Sequence, residues 1–166
     1  MTQDPATLSL LFLLDEAFDR RSWHGTNLRG SLRGTSAAQA AWRPAPGRHS
    51  VWEIALHAAY WKYAVWRRLT GEKRGSFARP GSNWFPGPEP PTEAAWKRDL
   101  NLLRRCHRDL RAAVADLRDR DLVRRPAGGQ ETIGRLVRGA AAHDLYHAGQ
   151  IQLLKRLSRH PVSTTT

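Results

Sequence analysis

Cysteine is almost missing from this chain of 166 residues. Cys106 stands alone, so no internal disulfide framework can form, and that usage suits a reducing compartment; a cytoplasmic location is the expectation. Long apolar runs are missing too. No stretch approaches the ~18–20 residues that a membrane span requires, so no membrane partner is expected. The opening "MTQDPATLSLLFLLDEAFDR" holds a short apolar run, but no basic region precedes it and no small-residue cleavage site follows. It runs into acidic residues and reads as a helix of the mature protein. Acids are scarce: 15 Asp and Glu face 27 Lys and Arg, a net charge of +12. Such a balance invites a nucleic-acid partner. Arg far outnumbers Lys, however, and is spread over nearly every segment, as an Arg-favouring composition produces; nucleic acid is not expected as the main partner. No strand alternation and no internal repeat survives inspection.

What is present is 40% hydrophobic residues with seven Trp, enough for one core. Helical spacing dominates. A first helix opens at Asp4-Pro5, an N-cap acceptor followed by proline at the first helical position, and runs to about Arg21. Leu8, Leu11, Leu14 and Phe18 form its inward stripe. "WHGTNLRGSLRG" is rich in glycine and is expected to be irregular, and a short helix is predicted at 36–41. A second helix has the clearest start, because Ser50 and Glu53 form an S-x-x-E capping box. It ends at Gly71, and its inward stripe reads Ile54, His57 or Ala58, Trp61 and Val65. The segment "EKRGSFARPGSNWFPGPEPP" is too long and too rich in Gly and Pro for a simple turn, and is expected to travel the length of the domain. A third helix is capped by Thr92 and runs to about Arg118, with Trp96, Leu100, Leu103, His107, Leu110, Val114 and Leu117 along one seam. Thr132 caps a fourth, which runs to about Ser158 and turns Ile133, Leu136, Ala140, His143, His147, Ile151 and Leu154 inward. The expected fold is all-α: a four-helix bundle with a long crossover between its second and third helices. It forms a single domain over residues 1–160, with a frayed tail at 161–166.

Two of those inward positions are imidazoles one turn apart. His143 and His147 share a helix face, and their rings can reach one cation. Two ligands hold a metal poorly, and His57, set among apolar residues in "IALHAAYW", is the best third. The competing reading is a set of hydrogen-bonded packing histidines, which would have to satisfy several polar atoms inside a tight seam.

The quoted "HSVWEIALHAAYWKYAVWRRLTG" and "HDLYHAGQIQLLKRL", with Trp23-His24-Gly25 after the first helix and "NWFPGP" in the crossing, resemble the DinB/YfiT-like superfamily. That resemblance covers most of the chain. It implies a helical bundle in which His57, His143 and His147 bind a divalent metal, with zinc, nickel, iron and manganese all admissible. It also implies relatives that are often homodimers, and chemistry in which a low-molecular-weight thiol of the bacillithiol or mycothiol kind is transferred to an electrophile or serves as cofactor. A stress or detoxification role and a small-molecule substrate follow from the same likeness. Metal-assisted hydrolysis, and a non-catalytic metal-binding or DNA-associated protein, are the alternatives.

Further residues surround this reading. Glu53 either orients His57 through its second nitrogen or serves only the capping box. Gln150, one turn past His147, is a candidate to line the site. Asp144 points about 100° away from His143 and is expected at the surface or between helices. His107 is a fourth ligand, a proton-transfer group or a packed core histidine. His24 folds over a pocket mouth or is solvated. Trp61, Trp84 and Phe85 line a pocket or pin the crossing. Cys106 is read as a helix-packing thiol, since no Cys-His-Asp arrangement accompanies it.

Overall fold

The structure is a computed structural model that describes residues 4–159; the tail at 161–166 lies outside those residues. Every regular element among them is helical, in the order α1 (Pro5–Phe18), α2 (Leu28–Leu32), α3 (Ala37–Ala41), α4 (Val51–Thr70), α5 (Glu93–Ala115), a 3₁₀ turn (Asp119–Asp121) and α6 (Ile133–Arg159). None is long and apolar enough to cross a membrane.

Most helix ends follow local chemistry. The Ser50–Glu53 capping box is complete, and α4 stops where Gly71 takes φ 78°, a left-handed conformation that costs glycine little. The hydroxyls of Thr92 and Thr132 accept from the amides of Ala95 and Arg135, and Ser36 does the same for α3. The start of α1 differs from expectation. The Asp4 side chain makes no cap bond to its own helix. Asp119 supplies the acceptor instead, taking the amides of Ala6 and Thr7 at 3.1 and 2.8 Å, while Asp4 accepts from the Asp119 amide at 3.0 Å. Helix α1 stops at Phe18 rather than Arg21, and α5 at Ala115 rather than Arg118. Leu8 lies at 38% exposure and is no part of the inward stripe; Leu10 takes its place beside Leu11.

The glycine-rich stretch expected to be irregular contains α2. Asn27 caps it, with Oδ1 accepting from the Gly30 amide at 2.8 Å, and Leu28 and Leu32 bury one turn apart. Lys155 of α6 closes the other end, donating to the carbonyls of Ser31 and Arg33 at 2.9 and 2.8 Å. A short helix of poor propensity is thus held by a distant side chain.

The core has two apolar regions. One surrounds Trp52, Leu56, Trp96, Leu103 and Ile151; the other joins Leu14, Leu110, Val114 and Val137. The segment between α4 and α5 has no regular structure and packs back along α4. Ser76 donates to the Tyr63 hydroxyl, Asn83 meets Trp61 and His57, and Gly87 lies so close to the Trp52 ring that a Cβ there would sit at 3.2 Å. Phe77 and Phe85 anchor it against Tyr60, and Arg79 ties it to Asp99 at 2.6 Å.

A charge pair is buried where the two apolar regions meet. Lys62 of α4, only 1% exposed, donates to Asp144 of α6, and neither side chain reaches solvent. Asp144 is therefore interhelical and not on the surface. The Lys62 ammonium also lies 4.9 Å above the Phe18 ring and 3.4 Å from Nδ1 of His107. Removing one member leaves the other charged and unmatched in a dry site. Asp144→Ala is expected to cost about 3–5 kcal/mol in urea unfolding, whereas the paired replacement Lys62→Met with Asp144→Leu should recover most of that loss.

Candidate metal centre

Helices α4 and α6 run in opposite directions past each other, so His57 faces the one-turn pair His143 and His147. The imidazole nitrogens of these three residues lie within 4.8 Å of one another. Nε2 of His143 is 3.1 Å from Nε2 of His57 and 3.0 Å from Nε2 of His147. Nitrogens that share a cation at ~2.0–2.1 Å stand about 2.9–3.4 Å apart, which the two separations from His143 match.

The other ring nitrogens determine what the cluster offers. Nδ1 of His57 donates to the Asn83 carbonyl at 2.9 Å, and Nδ1 of His147 donates to Oε1 of Gln150 at 2.7 Å. In the neutral ring each proton is then on Nδ1, and both Nε2 atoms present lone pairs to the centre. The one proton that Nε2 of His143 can carry serves one neighbour at a time, so the other neighbour's lone pair is left without a donor. Protons alone cannot satisfy this set; a cation shared by three lone pairs can. The residues present therefore fit a divalent metal.

The rings are also held neutral. Burial, with the charges of His147, His57 and Lys62, pushes His143 down to about 3. Burial brings His147 to about 4 against the pull of the Gln150 bond. Burial lowers His57 as well, opposed by its bond to Asn83. Stacking fixes ring orientation: Trp84 lies 3.8 Å from His57 at an interplanar angle of 9°, and 3.6 Å from His49. Trp61 stands edge-on to His57 and His143 at 6.3 Å and donates from its indole N–H to Oδ1 of Asn83 at 3.0 Å. Asn83 has φ 68°, which asparagine tolerates better than most residues. That turn aims its carbonyl at one histidine while its side chain holds a tryptophan.

The remaining candidates divide. Gln150 is at the site, holding His147, and its own amide donates to the Tyr146 hydroxyl at 3.0 Å. Glu53 is occupied elsewhere. Its carboxylate accepts from the Ser50 amide at 2.9 Å and from both terminal nitrogens of Arg43 at 2.7–2.8 Å. Burial works to raise that carboxyl, but Arg43 and the Ser50 amide outweigh it and keep it below the usual range. Asn83, not Glu53, orients His57. His107 stacks on Phe18 at 3.7 Å and belongs to the Lys62–Asp144 cluster; burial and the charges of Lys62 and Arg111 push it down to about 2. It is a packed core histidine. His24 is exposed beside the fully exposed Trp23 and joins no cluster. Cys106 is buried, and burial raises its thiol to about 11. Asn83, His49 and Lys62 were not anticipated. Lys62 carried a signal, a lone charge within "YWKYAVW", whereas nothing local marked Asn83 or His49.

An all-helical bundle with three imidazoles from two facing helices defines a class of metal-binding fold. The family model of the DinB superfamily matches residues 20–151, and the chain belongs to that superfamily. No curated protein and no solved structure gives a significant match.

Gln150→Leu removes the acceptor that sets the His147 tautomer and should weaken zinc binding by about 10–100-fold in a competitive chelator titration. The pH dependence has a definite sign. Folded values near 3 and 4 lie below the ordinary 6.5, so protons compete for these nitrogens only in acid. Metal uptake should hold well below pH 6.5 and fall away as pH approaches 4, whereas folding stability should already decline from pH 6.5 downward to about 3, because unfolded rings take up protons that the folded ones do not.

Proposed function

We propose that the protein is a metal-dependent enzyme that transfers a low-molecular-weight thiol to a small electrophile. The observation that carries this reading is the convergence of three neutral Nε2 donors from His57, His143 and His147. Three protein ligands leave room in a tetrahedral or larger shell, as catalytic sites require. A divalent ion bound there lowers the pKa of a thiol that joins it and so supplies thiolate at neutral pH.

The chain's own residues favour a nucleophile brought in from outside. Its single thiol, on Cys106, is buried, burial raises its pKa to about 11 so that it stays protonated at neutral pH, and it lies outside the histidine cluster. Sulfur of the small thiol would form the new bond to carbon, the leaving group would depart with the bonding pair, and the thiol proton would pass to solvent. Asn83 and Gln150 hold two imidazoles with Nε2 bare, and the Trp84 indole keeps His57 from rotating. Hydrolysis is the weaker reading, because it needs a free general base near the metal and the candidates, Glu53 and His107, are engaged: Glu53 by Arg43 and Ser50, His107 by Phe18 and Lys62.

Purified protein should carry about one divalent ion per chain by elemental analysis, and His147→Ala should lose it while keeping its helical circular dichroism. With bacillithiol and a generic electrophile, turnover should appear in the metal-loaded protein and drop by at least about a hundredfold in His147→Ala. Metal-loaded protein that hydrolyses esters but forms no thioether would overturn the transfer reading in favour of the hydrolase.

A further inference from the structure

A groove of about 250 Å³ runs between α4 and α6 and connects the histidine cluster to an arginine. His143 and Trp61 border it at one end, and Arg68 and Leu136 at the other. From Trp61 to Arg68 on α4, and from His143 to Leu136 on α6, is two helical turns, about 10 Å. Val65 and Ala140 make the middle apolar, the buried Lys62–Asp144 pair borders the histidine end, and Arg68, Arg135 and Glu131 make the far end charged.

The charges at that end are not equivalent. Arg135 is paired with Glu131 at 3.0 Å. In the cavities that adjoin it, Arg67 reaches the Glu72 carbonyl and Arg79 is bound to Asp99. Arg68 is half-buried and, among the described residues, has neither a carboxylate nor a carbonyl partner. A partly desolvated guanidinium left without an acceptor forfeits its strongest interactions, and its planar fork matches a carboxylate or phosphate. Two adjoining cavities also border Arg68, and both add Arg67 and Arg74; one also holds Glu72 and Glu131, and the arginines outnumber them, so the balance there favours an anion.

We infer that the groove binds an elongated substrate of about 10 Å, with an apolar middle against Val65 and Ala140 and a terminal oxyanion on Arg68. The opposite end of that molecule reaches His143, one of the three imidazoles. The inference rests on the proposal that those imidazoles mark the reacting end, and it adds a substrate class: linear amphiphiles with an anionic terminus.

The test is calorimetric titration of straight-chain alkanoates of increasing length, their primary amides and the matching alkyl phosphates, each into metal-free and metal-loaded protein. Affinity for the anions should peak at the chain length that fills about 10 Å, and the amides should bind about tenfold or more weakly than the acids. Arg68→Gln should bring the acids down to the affinity of the amides and leave the amides unchanged. Arg68→Lys, which keeps the charge without the fork, should fall between. Arg138→Gln, an exposed arginine of α6 away from the groove, should change nothing. Acids that bind no better than amides, no alkanoate binding at millimolar concentration, an unaffected Arg68→Gln, or an equal loss in Arg138→Gln would each overturn the inference. If elemental analysis finds no metal, the proposed function fails while the metal-free titrations still report on the groove. If metal is bound and Arg68→Gln is silent, the groove assignment alone fails.

Discussion

The alignment of α4 against α6 governs everything else in this molecule, and one buried charge pair holds it. Lys62 and Asp144 meet where water does not reach. Sliding either helix by a turn would bury an ammonium or a carboxylate without its partner, at a cost of several kcal/mol. Apolar contacts above and below the pair would tolerate such a slip far better, since one leucine substitutes readily for another. With the alignment pinned, His57 can only face His143 and His147. His107 and Phe18 complete the polar seam from α5 and α1, so all four long helices meet at this level.

The same dryness serves two ends. It makes an unmatched charge costly, and it drives the three imidazoles toward their neutral forms, which are the forms that donate lone pairs to a cation. Burial therefore stabilises the alignment and prepares the ligands by one mechanism. The irregular segment after α4 completes the work from outside the bundle. A half-buried carbonyl on that segment takes a donor, and His57 needs an acceptor at Nδ1; Asn83 answers both at once. Trp84, next in sequence, stacks on the ring so oriented.

The surplus of arginine looks different once partners are assigned. Arg43, Arg79 and Arg111 each hold a carboxylate on another segment, at 2.6–2.8 Å, and act as cross-links between parts of the chain. Arg68 is unlike them in being half-buried without such a partner, which is why it carries meaning that the net charge of +12 does not.

How much was readable depended on how local each cause was. The capping box at Ser50, the caps at Thr92 and Thr132, the stop at Gly71 and the histidine spacing on α6 are decided within one turn of helix, and each stands where the order of residues places it. The resemblance carried by two stretches of sequence agrees with the family match. The cap of α1 by Asp119, the closing of α2 by Lys155 and the choice of Asn83 over Glu53 as the partner of His57 arise between residues far apart in the chain. Local order set which side chains share a helical face, because backbone geometry repeats every few residues. Only the packed structure decided which of those side chains would meet across helices, because that choice belongs to buried charges and unsatisfied polar atoms whose partners are brought near by folding alone.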